Sequence, residues 1–176
     1  MKTNLPNFLV VSGTGRNVGK TTLVCEILKR FAPENRIAGV KITNHFHEID
    51  QKTTSIIAQN ETYIILEERN SSGLKDTSRY LQDGADSSFL IMYTEGSLSK
   101  AFEAFSHQIN IQNGLFIVES AAILEIIYPA AHILQTTDNQ NLGQLNYDVV
   151  SFFAENSLPD FDFSQISSRG NQWILK

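Results

Sequence analysis

Residues 8–22 read FLVVSGTGRNVGKTT, an apolar run that passes through three glycines into a lysine and two threonines. The opening run is rich in β-branched residues, as suits a strand buried on both faces. After the glycines, TTLVCEILKRFA (residues 21–32) sets Leu23, Val24, Ile27, Leu28 and Phe31 on one helical face, and Pro33 marks its end. Strand, loop and amphipathic helix therefore follow one another. Such a junction can gather backbone N–H groups around an anion. Glycines admit the close approach, a lysine supplies charge to the β and γ phosphates, and a hydroxyl at the helix start suits Mg²⁺. Gly13, Gly15 and Gly19 fill the first role, Lys20 the second and Thr21 the third. Thr14, Arg16, Asn17, Val18 and Thr22 complete the candidate nucleotide-binding stretch. The competing reading is a glycine-rich turn with no ligand. The strand before it, the helix after it and Gly-Lys-Thr-Thr at the junction favour binding.

The spacing departs from the common G-x-x-x-x-G-K-[ST] pattern, because five residues before Gly19 stands Thr14. The loop is one residue longer. It also fails the dinucleotide pattern G-x-G-x-x-G, since Val18 holds the last position and no acid ends the second strand to hold a ribose.

Around this junction, strands and helices alternate. RIAGVKIT, SSFLIMYT, GLFIVES and AAHILQTT read as four further strands, with DTSRYLQDGA and SLSKAFEAFSHQI as helices between them. The first of these helices has Asp76 as its candidate N-cap and Gly84 as its terminator, and Ser97 or Ser99 opens the second. The pattern predicts one α/β domain over residues 1–176, with a mainly parallel sheet and helices on both faces. Two stretches break it. TTSIIAQNETYIILEE predicts a β-hairpin inserted over about residues 53–67. Near the C-terminus, NYDVVSFF and NQWILK read as edge strands flanking a loop or short helix, SLPDFDFSQISS.

Composition narrows the classes. The 176 residues are 41% hydrophobic and 19% charged, with a net charge of −5, so one sizeable core is expected and nucleic-acid binding through a basic face is not. No apolar stretch approaches the roughly 20 residues that span a bilayer, and the N-terminus lacks the apolar core of a signal peptide. A protein without a membrane partner, in the cytoplasm, is the expectation. Cys25 is the single cysteine and sits in a helix as a small buried residue, and no Ser-His-acid or Cys-His arrangement stands out.

Six further residues are candidates for chemistry. Glu119 ends GLFIVES at the carboxyl edge of the sheet, where ligands bind in open α/β folds. It is the candidate catalytic acid beside Lys20, and with Thr21 a candidate for the magnesium shell; a solvent-facing glutamate is the alternative. Lys41 ends the second strand, with its ammonium toward a γ phosphate or a small anionic co-substrate. Asp76 is either a helix cap or, if it faces the site, a third member of the metal shell. Arg79 shares that cavity or is a solvated charge, and His45 and His47 would share a face on a strand. Those histidines suit anion binding or the surface better than zinc, with no cysteine or third histidine near.

The loop, G-T-x-x-x-V-G-K-T, resembles that of dethiobiotin synthetase and its relatives in the P-loop superfamily. The succession of this loop, GVKITNHFHEID, KDTSRYLQDGA and IVES resembles the molybdopterin-guanine dinucleotide biosynthesis adapter proteins, the MobB family, over about residues 8 to 135. Lys41 matches that family's strand-end lysine, and His45 and His47 fall in its histidine-rich stretch. Lys75, Asp76, Thr77, Arg79, Gly84 and Ala85 match the next motif, and Glu119 the acid. The loop is longer than the family's, Ser120 replaces a glycine, and the hairpin is extra. The resemblance implies a three-layer P-loop NTPase fold and Mg²⁺-dependent GTP binding with slow hydrolysis. It also implies a homodimer that serves a cofactor-biosynthesis enzyme. The loop alone implies ATP instead, and a ligase or small-molecule kinase in which Lys41 holds the acceptor. The Asn-Lys-x-Asp signature of many GTPases is absent, and TTD at residues 136–138 is too short to replace it, so ATP and GTP are not separated.

The hairpin bears on assembly. TYIILEE puts apolar, β-prone positions on a two-stranded unit that is marginal alone in water. It is therefore expected at a homodimer interface beside the carboxyl edge, with Lys41, His45, His47 and Arg79 in a groove near the partner.

Overall fold

The buried apolar runs assemble, in a computed structural model that describes residues 2–138, 142, 145–154 and 157–176, into one eight-stranded sheet. In chain order the elements begin β1 (Thr3–Gly13), α1 (Lys20–Phe31), β2 (Ile37–Thr43), β3 (Thr54–Gln59) and β4 (Tyr63–Glu68). Next come α2 (Asp76–Gln82), β5 (Ser87–Tyr93), α3 (Leu98–Gln108), β6 (Leu115–Glu119), β7 (Ile127–Thr136) and β8 (Val149–Phe152). A separate antiparallel pair, β9 (Ile166–Ser168) and β10 (Trp173–Leu175), closes the chain. The sheet order is β3-β4-β5-β2-β6-β1-β7-β8, and the contiguous strands from β5 to β8 are all parallel.

Each face is covered, as a parallel sheet requires. Phe102 and Phe105 of α3 pack on Phe8, Val10, Val40, Phe89 and Phe116 on one side. On the other, Leu23, Ile27 and Leu28 of α1 and Tyr80 of α2 meet Leu9, Val11, Ile117 and Ile133. Trp173 of β10 joins this second layer, its indole N–H donating to the Phe116 carbonyl at 3.2 Å and its ring edge-on to Phe31. The three-layer α/β expectation is met at this level. Among the described residues no helix is long and apolar enough to cross a membrane.

Two expectations are corrected. The hairpin of β3 and β4 does not stand apart. β4 pairs antiparallel with β5, so the hairpin extends the main sheet. Ile65 and Leu66 are buried, and Ile57, Ala58 and Tyr63 pack on the α3 core. The apolar surface that argued for a partner chain is thus covered within the same chain, which removes that argument for a dimer interface. At the C-terminus only residues 149–152 join the main sheet, as β8. NQWILK instead pairs with β9, because Trp173 and Ile166 bury their side chains against α1 and its sheet face. Ser97 opens α3 at the N-cap position, as expected, although it makes no side-chain cap bond. Its hydroxyl turns to the carbonyls of Thr62 and Thr94 and ties the helix start to the hairpin.

Candidate functional site

The alternation of a strand sends every second side chain to the same face. On β2, Gly39 and Lys41 face the α1–α2 layer, and on β6 Ile117 and Glu119 do the same. Register places Lys41 directly beside Glu119, and Glu119 in turn beside Val11 of β1, which leads into the glycine-rich loop. Two distant strand ends and the start of α1 therefore converge.

Glu119 is the hub. It is 2% exposed, so the solvent-facing alternative does not hold. Its carboxylate accepts from the Thr21 hydroxyl at 2.8 Å, from the Tyr80 phenol, and from the Lys41 ammonium. Lys41 also reaches Asp76 at 3.1 Å. Burial is the largest influence on Lys41 and lowers its pKa, but the charges of Glu119 and Asp76 outweigh it and hold the ammonium above its ordinary range. Tyr80, wholly buried, has its phenol pushed well up by desolvation and by the adjacent Glu119 charge. It stays a proton donor.

Asp76 is not the cap of its helix. Lys75 holds that position and Asp76 is the first helical residue, its side chain turned to Lys41. The helix ends as expected, with Gly84 at φ 104° and the amides of Gly84 and Ala85 closing on the carbonyls of Leu81 and Tyr80.

The loop itself is pinned at both ends. The Thr14 amide donates to the Gln135 carbonyl at 3.1 Å, and the Thr14 and Thr136 hydroxyls meet at 3.1 Å. At the far end Gly19 adopts φ 84° and begins α1, and a Cβ there would stand 2.5 Å from the ring of Phe153. Both the backbone angle and the ring demand glycine. The Lys20 ammonium donates to the Gly15 carbonyl and bridges the loop, while burial lowers its pKa. Asn17 also has positive φ, at 58°.

A cavity of about 410 Å³ opens above α1, lined by Arg16, Asn17, Gly19, Lys20, Thr21, Thr22, Lys41, Asp76, Arg79, Glu119 and Phe153. Arg79 thus belongs to the cavity. The two histidines part company, because β2 ends at Thr43 and the chain beyond is irregular. His45 lies 3.3 Å from the Arg16 guanidinium, whereas His47 lines a neighbouring cavity of about 370 Å³ with Lys41, Thr43, Lys75 and Asp76. They do not share a face.

The donor set fits a hard divalent cation. A hydroxyl and two carboxylates offer only oxygen, within a cluster where Lys41 now bridges the carboxylates. Among the described residues no group of three or more His, Cys, Asp or Glu could hold a metal. A cation here would take part of its shell from water and phosphate, as Mg²⁺ commonly does.

Two features escaped the sequence reading. Phe153 over Gly19 comes from a segment with no motif. The Ser12 hydroxyl lies 2.7 Å from His132 Nε2, a buried pair that ties β1 to β7 beneath the loop. The Asp148 carboxylate accepts from the His132 amide at 2.6 Å, and burial lowers the His132 pKa against the opposing charge of Asp148. Cys25 is buried, its thiol pushed up by desolvation and by Asp83, as an inert core residue should be. Comparison with family models, curated proteins and solved structures finds no match to this chain.

Proposed function

We propose that the protein is a Mg²⁺-dependent P-loop protein that binds a purine nucleoside triphosphate and hydrolyses it slowly. One observation carries this reading: Lys20, the Thr21–Glu119 hydrogen bond and the Lys41–Asp76 ion pair border one cavity at the N-terminus of a twelve-residue helix. The amides of a helix's first turn have no partner within the helix and carry its positive dipole end, which suits a phosphate. A magnesium ion held beside Thr21, Asp76 and Glu119 would supply positive charge to offset that of the phosphates. Lys20 would leave the Gly15 carbonyl for the β and γ phosphates. Thr21 and Asp76 would turn toward the metal's shell, and Glu119 would orient its water. Lys41, at the γ end, would steady developing charge.

The resemblance to the molybdopterin-guanine dinucleotide adapter family supports GTP and an accessory role in molybdenum cofactor biosynthesis, as a cytoplasmic homodimer acting with a biosynthetic enzyme. It rests on Lys41, on the Lys75 to Ala85 stretch and on Glu119. The second reading is an ATP-dependent ligase or small-molecule kinase of the dethiobiotin synthetase type. It is favoured by the cavity of about 370 Å³ that adjoins the first at Lys41 and Asp76, with room for an acceptor beside the γ phosphate. Turnover of ATP and GTP, measured alone and then with a panel of carboxylates, amines and pterins, separates the two. Strong stimulation by one small molecule supports the enzyme, and turnover indifferent to all of them supports the accessory protein. Failure to bind either nucleotide overturns both.

A further inference from the structure

The two ends of the candidate nucleotide site lie on opposite flanks of β1. Lys41, Asp76 and Glu119 gather on the β6–β2 side, and on the β7–β8 side the cavity wall is Phe153. Phe153 follows β8 directly. Its amide donates to the Thr136 carbonyl at 2.8 Å, which fixes its backbone to the end of β7. From there the ring reaches back to lie on Gly19, so close that a Cβ on that residue would stand 2.5 Å from Cγ and Cδ2. The side chain is half-buried and shares the cavity with Lys20, Thr21 and Thr22.

If the γ phosphate points toward Lys41, as the proposed function holds, the nucleoside must leave over the first turn of α1 toward β7 and β8. Among the described residues that line the cavity, the aromatic side chain on that flank is Phe153, its backbone bonded to Thr136 and its ring seated on a glycine that cannot carry a Cβ. Nearby, the Thr136 hydroxyl is already engaged with Thr14 and the Asp138 carbonyl. We propose that Phe153 is the nucleoside-recognition residue, packing its ring on the base or ribose of the bound nucleotide. A π face is sequence-tolerant among bases, so it contributes affinity for the nucleoside without separating adenine from guanine. This inference rests on the phosphate-loop reading and adds the side chain that grips the other end of the ligand.

The test is calorimetric titration of the full chain with Mg²⁺ and three probes, ATP, GTP and inorganic tripolyphosphate, for wild type and Phe153→Ala, Phe153→Leu and Phe153→Trp. The expected result is a loss of about tenfold in affinity for both nucleotides in Phe153→Ala, of the size of one base–aromatic stack. Tripolyphosphate affinity should be unchanged, the loss should persist in Phe153→Leu, which keeps apolar bulk on Gly19, and Phe153→Trp should restore nucleotide affinity. Equal losses for all three probes would show that Phe153 only holds the loop in shape and overturn the proposal. So would unchanged nucleotide affinity in Phe153→Ala. Wild type that binds tripolyphosphate but neither nucleotide refutes the nucleoside contact alone, whereas wild type that binds none of the three refutes the phosphate-loop reading beneath it.

Discussion

Replacing Gly39 by alanine should damage the site from below. The added Cβ would lie 2.7 Å from Cδ2 of Tyr80 and 3.0 Å from its Cβ and Cγ, closer than carbon atoms pack. Tyr80 is fully buried between β2 and the α1 layer, and its phenol is bound to Glu119 at the other end. The ring cannot move away without releasing that bond. Overpacking of a core costs about 1–3 kcal/mol, and a hydrogen bond to a charged group contributes about 1.5–3 kcal/mol, so a loss of about 3 kcal/mol or more is expected. In a chain of this length that is a fall in Tm of about 6–12 °C. Urea denaturation of wild type, Gly39→Ala, Tyr80→Phe and the double variant measures it. Tyr80→Phe alone should cost about 1.5–3 kcal/mol, and the two changes should couple by about 1 kcal/mol because the first already disturbs the bond that the second deletes. A Gly39→Ala protein within about 0.5 kcal/mol of wild type, or strict additivity, would refute the account of Tyr80 as a ring clamped between strand and carboxylate.

Two further outcomes concern Glu119 and the separate Ser12–His132 pair. Glu119→Gln keeps shape but leaves Thr21, Tyr80 and Lys41 facing one carbonyl and one amide, so turnover should fall by about 100-fold while nucleotide affinity changes little; single-turnover kinetics beside calorimetry would decide it. Because burial depresses the His132 pKa from its ordinary 6.5, the native state favours the neutral ring. The stability this confers is complete above that ordinary value and is lost as pH falls through it toward the lower native value, despite the opposing pull of Asp148. Tm followed down through that window should drop less steeply in His132→Asn than in wild type, and equal slopes would contradict it.

What could be read in the sequence was what the chain encodes locally. The loop announces itself because glycines, Lys20 and Thr21 lie between a continuous apolar run and an amphipathic one. Glu119 was legible because a buried strand ends on it. The partners of Glu119 were not. Tyr80 lies 39 residues away in sequence and belongs to the site only because Gly39 lets its ring through. Asp76 read equally well as a cap, and only the position of Lys41 turns it toward the site. The Ser12–His132 pair spans 120 residues and follows from the register of β1 with β7, which no local pattern specifies. The hairpin's apolar residues looked unpartnered because its cover, α3, comes later in the chain and reaches it only through the order of strands in the sheet.

Nucleotide binding at the loop is tested by titration of Mg²⁺–ATP and Mg²⁺–GTP into wild type and Lys20→Ala, with Tm of the unliganded proteins as control. Lys20 spans the loop through its ammonium and the Gly15 carbonyl, and no core cluster contains it. Wild type should bind at least one nucleotide saturably, Lys20→Ala should lose about 100-fold or more in affinity, and the two Tm values should agree closely. Equal affinity in the two proteins, or no binding by wild type, would contradict binding at the loop.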